Sequence, residues 1–218
     1  MSKSMSLLSA LLCTFIWGTT FIAQDTGMDK IGPLTFNAAR FFVGFLFIIP
    51  IALLIEKKKI TKEINNNKKL FYKLLFWIGL FLFLGTSLQQ AALLYTDIAN
   101  AAFFTIFYVP IVPIILFFFY SKPIHWSIWP AVLVCMVGTY FLSNFSNATI
   151  RLGDGLVILC AFFWALHIIF IGNFIKNFNL PLFFGALQTL VVSFFSIVFA
   201  LLFETITIAN ILNESVSI

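Results

Sequence analysis

Apolar residues fall into seven long runs, at about residues 7–23, 34–55, 73–94, 99–120, 126–143, 155–173 and 182–203. None alternates with period two, as a lipid-facing strand does, and each approaches the ~20 residues a helix needs to cross a bilayer. Polar residues gather between the runs, in stretches such as "QDTGMDKIG" and "EKKKITKEINNNKK". The pattern predicts an all-α membrane protein, a multi-span helix bundle of about seven transmembrane helices. Composition agrees: 61% of the 218 residues are hydrophobic and 10% are charged, against the ~25% charged of a soluble domain. Lys3 precedes an apolar run as in a secretory leader, but no small-x-small cleavage pattern follows, so the first run reads as an uncleaved helix. Cys13, Cys135 and Cys160 are odd in number and all lie inside the runs, which argues against a disulfide framework.

The charges set the orientation. Ten of the 13 basic residues fall on the N-terminal side: Lys3, Lys122, Lys176 and the seven lysines of the connection 56–73. Lys30 and Arg151 face the other side, and Arg40 lies within the second run. The positive-inside rule then places the N-terminus and the lysine connection in the cytoplasm, in a protein of the plasma (inner) membrane, and the C-terminus outside. Contact of the lysines with anionic membrane lipid accounts for the net charge of +5. No nucleic-acid partner is implied.

A phrase is written twice. Leu-Cys-x-Phe-x-Trp occurs at 12–17 and again at 159–164, 147 residues later. At an offset of 148 the likeness continues, with Pro33 over Pro181, Phe36 over Phe184, Ala38 over Ala186 and Arg40 over Gln188. The first two spans therefore recur as the sixth and seventh. Five spans separate the two starts, an odd number, so the second copy inserts upside-down. That is an inverted five-helix repeat, a device of secondary transporters, with one unit over 7–143 and the second over 154–218.

The successive stretches "ALLCTFIWGTTFIA", "PLTFNAARFFVGFLFIIP", "ALLYTDIANAAFFTIFYVPIVPIILFFFY" and "MVGTYFLS" resemble the helix motifs of EamA-type proteins, of the drug/metabolite transporter superfamily. The resemblance implies two five-helix repeats, cytoplasmic termini, and export of amino acids, related metabolites or drugs. Two departures stand out. Ser121 occupies a position where the resemblance calls for Glu, and three helices of the second repeat are lacking, so the second copy reads as incomplete.

Polar side chains inside a bilayer are costly and are functional candidates by default. Arg40 lies roughly 9 Å inside its span at 1.5 Å per residue. It either snorkels to the headgroups or lines a cavity and pairs with a substrate carboxylate. Trp17 and Thr20 on the first span, and Trp164 and His167 on the sixth, either glue helices together or form a substrate wall. His167 is the one in-span group that ordinarily titrates near neutral pH, serving as a packed donor or a proton relay. Gln89, Asn100, Tyr108 and Gln188 complete the substrate-binding candidates. Pro110 and Pro113 remove two helix hydrogen bonds and should free the carbonyls of Ile106 and Val109, near Tyr108.

No Asp or Glu lies deep in a span, and no metal-ligand spacing, nucleophile–base pair or phosphate loop is present. An enzyme, a metal and a cofactor are therefore not expected. The reading is a permease exporting small polar metabolites by alternating access. The alternative is a non-transporting remnant, or a membrane subunit completed by complementing helices or by a second copy.

Overall fold

The computed structural model describes residues 3–28, 31–123, 125–142 and 151–204. Among them the chain forms eight helices and no strand: α1 (Lys3–Thr26), α2 (Pro33–Asn66), α3 (Lys68–Ala92), α4 (Ile98–Thr105), α5 (Tyr108–Tyr120), α6 (Ile128–Leu142), α7 (Leu152–Asn177) and α8 (Pro181–Phe203). Six spans are long and apolar enough to cross a membrane, α4 and α5 counting together as one. α6 has 15 residues, about 22 Å at 1.5 Å each, and is shorter than the run 126–143 that predicted it. Residues 143 and 205–218, which the predicted spans and second unit include, lie outside the described residues.

The lysine connection is not a loop. α2 continues through Pro50 and the lysines to Asn66, and α3 starts at Lys68. Lys, Glu and Ile are adequate helix formers, and Ile60 and Ile64 pack against the core around Phe71. The side chain of Asn67 then accepts from the Leu70 amide at 3.0 Å and caps α3. This end of the bundle is the lysine face.

The fourth span breaks at Ile106–Phe107, between α4 and α5. Pro110 has no N–H to give to the Ile106 carbonyl. The Val109 amide donates there instead, at 2.9 Å. The expectation that this carbonyl is left free is thus corrected: a tighter turn satisfies it.

α2 and α8 form the most extensive helix pair, followed by α3 with α7 and α3 with α8. Gly79 makes the α3–α8 approach close, since a Cβ there would collide with Val191. Toward the lysine face, Phe71, Leu74, Ile78, Phe174, Phe178, Leu180 and Phe184 form an aromatic core. The stacked rings of Phe174 and Phe184 lie 3.6 Å apart. The outer surface is apolar; Leu54 is 86% exposed and Phe119 81%, as a lipid-facing surface requires.

Candidate functional site

The two copies of the repeated phrase meet in the middle of the bundle. Trp17 of α1 and Trp164 of α7 have ring centroids 5.5 Å apart. Tyr108, at the start of α5, stacks on Trp17 at 6.4 Å. The imidazole of His167, one turn beyond Trp164, stands edge-on to the indole at 5.7 Å. His167 Nε2 lies 3.1 Å from Gln188 Oε1 on α8. With the amide oxygen so placed, the ring donates and Gln188 accepts. Five candidates from α1, α5, α7 and α8 are therefore joined in one chain of contacts.

Gln89 is buried on α3 and bonded to α4. Its Nε2 donates to Thr105 Oγ1 at 2.9 Å, and Thr105 passes its own proton to the Ala101 carbonyl at 2.7 Å. Thr20 donates to the Trp17 carbonyl at 2.6 Å and accepts from Gln24 Nε2 at 3.2 Å. Its hydroxyl is thereby spent on α1 itself. Arg40 and Asn100 make no hydrogen bond or ring contact with this set. The Arg40 guanidinium lies over Phe41 at 5.0 Å and Phe36 at 5.7 Å, both on its own helix. Asn100 is buried on α4.

Several buried polar atoms lack a partner among the described residues, and each such atom calls for an explanation. Trp164 Nε1 has no oxygen or nitrogen partner, although its N–H interacts with the Cys160 thiol one turn earlier; its edge lies 3.4 Å from where a Cβ on Gly85 would sit. The oxygens Gln24 Oε1, Gln90 Oε1 and Asn37 Oδ1 are others. Gln90 Nε2 donates to the Gln24 carbonyl at 3.1 Å, so its amide orientation is fixed and Oε1 remains an open acceptor. Asn37 Nδ2 reaches Ser87 Oγ at 3.4 Å. These acceptors lie toward the end opposite the lysine face, on α1, α2 and α3. The centre thus offers an indole donor and aromatic walls, with open amide acceptors on one side.

Asn37 and Ser87 were not among the sequence candidates. For Asn37 the signal was there, since it precedes the candidate Arg40 by one turn on the same helix face. Glu56, Ser193 and Ser196 were missed too, because small hydroxyls and an interfacial carboxylate carry no distinctive pattern. Among the described residues, no group of three His, Cys, Asp or Glu could hold a metal. Asp154 instead accepts from Thr96 Oγ1 at 2.5 Å and from the Arg151 amide at 2.8 Å, and Arg151 pairs with Asp97 at 2.9 Å, fastening α7 to the α3–α4 connection.

Residues 4–144 match the EamA-like transporter family. An uncharacterized transporter of Archaeoglobus fulgidus is 34% identical over 172 residues, which cover 79% of this chain and 50% of that protein. The uncharacterized transporter YoaV of Bacillus subtilis (strain 168) is 36% identical over 64 residues, 28% of this chain and 21% of that protein. The chain thus matches half or less of the length of these relatives. No solved structure matches. On the family match over residues 4–144, most of its length, the chain belongs to the EamA-like transporter family.

Proposed function

We propose that the chain is the core of a permease that moves small polar metabolites, amino acids or related compounds and drugs among them, out of the cell by alternating access. It is built on an inverted pair of helix units, over 7–143 and 154–218, in the plasma membrane with the N-terminus cytoplasmic. The observation that carries this reading is the meeting of Trp17 and Trp164, which occupy equivalent places in the repeated phrase. In inverted-repeat carriers the substrate site lies where the repeats face each other near the midplane. Aromatic walls with a Trp164 N–H held only by the weak thiol acceptor of Cys160 suit a solute presenting an acceptor, and the open amide oxygens suit its donors. Family membership points to a transporter rather than an enzyme.

A second reading is favoured by α1. None of its most apolar stretch is buried inside the bundle, so the chain acts as a subunit covered there by complementing helices or a second copy. One experiment addresses both. Metabolite export is screened in cells expressing the chain alone, and with a helical complement taken from the second half of the Archaeoglobus relative. Export that Trp164→Ala abolishes is expected, and export only with the complement supports the subunit reading. Absence of any exported solute in both arms would sink the transport proposal.

A further inference from the structure

α2 and α8 are fastened to each other twice, at opposite ends, by the same device. At the lysine face, Glu56 of α2 accepts from the backbone amides of Leu182 at 3.1 Å and Phe183 at 2.8 Å, in the first turn of α8. At the other face, Glu204, just past α8, accepts from the amides of Leu34 at 2.6 Å and Thr35 at 2.9 Å, in the first turn of α2. The Thr35 hydroxyl adds a third bond there at 2.6 Å. Each carboxylate fills amides that a helix start leaves without partners and meets the positive end of the helix dipole. Gly32 gives Glu204 its space, since a Cβ there would collide with the carboxylate.

The offset of 148 that lays Arg40 over Gln188 also lays Glu56 over Glu204, and Leu34 and Thr35 over Leu182 and Phe183. One clasp is the inverted image of the other. Between them the helices run antiparallel on small buried residues that obey the same offset, Ala38 with Ala186 and Ala52 with Ala200. Ser193 Oγ donates to the Ala38 carbonyl at 2.9 Å, tying backbone to side chain in mid-pair.

We propose that Glu56 and Glu204 are positioning residues that lock α2 and α8 into one fixed antiparallel spine, about which the loosely held helices move. The moving part of the statement rests on the transporter reading; the fixed spine does not. Both clasps are closed in the same conformation. Opening either one would strand a carboxylate and two amides at once and prise apart the alanine contacts beside it. The loosely held elements are α1, which packs mainly on α4, and α6, which touches α4 and α5 lightly.

The test needs no substrate, so its outcome is separate from that of the export screen. The full chain is placed in lipid nanodiscs with Cys13 and Cys135 replaced by Ser. Spin labels are paired across each end of the spine, at positions 39 and 201 and at positions 54 and 185, where an added side chain meets open space. One narrow distance is expected at each end. Glu56→Gln should broaden only the pair at 54 and 185, and Glu204→Gln only the pair at 39 and 201, by about one helical turn, ~5 Å. Asp at either position should restore most of the narrow distance. Two distances at one end of the unsubstituted chain, changing in the opposite sense to the other end, would show gates that open in turn and overturn the spine. Narrow distances in both Gln variants would overturn the role of the carboxylates. If one Gln variant fails to insert, its Asp counterpart and the other clasp decide the matter.

Discussion

α1 and α7 carry the same phrase and meet opposite surroundings. Ala10, Cys13, Thr14 and Gly18 form one face of α1, at helical spacing, and all four are exposed. Their equivalents at an offset of 147 are Val157, Cys160, Ala161 and Ala165, and each is fully buried. The residue types are alike: small, and fit for close helix packing. What differs is the neighbour. α7 lies against α3, α4 and α5, whereas α1 has α4 and, through Trp17 and Gln24, isolated contacts with other helices. Burial in a membrane is therefore set by which helices are at hand and not by hydrophobicity, because lipid accepts an apolar face as readily as protein does.

The strongest way to break the comparison is to overfill both faces. Ala161→Leu should lower stability by about 1–3 kcal/mol, as extra methylenes do in a packed interior. Thr14→Leu, its equivalent on α1, should stay within ~0.5 kcal/mol, the range of an exposed substitution. Unfolding in mild detergent measures both. A comparable loss for Thr14→Leu would mean that the face of α1 is covered by another helix or a second copy.

Thiol chemistry sharpens the same contrast with less disturbance. Cys13 is exposed and Cys160 buried. A lipid-soluble alkylating reagent should modify Cys13 at least about tenfold faster, because reaction requires access to the sulfur. Equal rates in lipid nanodiscs would erase the difference between the two helices.

The spans were legible because lipid dictates them: an apolar run near 20 residues has few other uses. The meeting of Trp17 with Trp164 could be anticipated from the repeat alone. The helical lysine stretch could not, since the run of charges hides Ile60 and Ile64, the two residues that anchor it. Nor was the short break at Ile106 fully legible, because the tighter bond from Val109 depends on backbone geometry. The clasps escaped for a different reason. A carboxylate at a membrane interface looks like ordinary solvation until its partners across the bundle are known, although extending the offset of 148 to Glu56 would have paired it with Glu204. Arg40 and Asn100 show the limit of choosing site residues by polarity: both are in spans, and neither joins the central set.

The smallest effect belongs to the pair where the two copies diverge most. His167 and Gln188 bond each other across α7 and α8; their counterparts Thr20 and Arg40 are not joined. His167 is the sole histidine within a span, so a proton relay through the bundle centre would have to use it. Its Nε2 proton is committed to Gln188, and no carboxylate is among its described hydrogen-bond partners. The expected role is therefore that of a packed donor. His167→Phe should cost about one hydrogen bond, ~0.5–1.5 kcal/mol, and leave export equally insensitive to an imposed pH gradient. If instead a pH gradient drives uphill export in the unsubstituted chain with its complement, and His167→Phe removes that drive, the histidine is a relay and the two helices differ in chemistry as well as in burial.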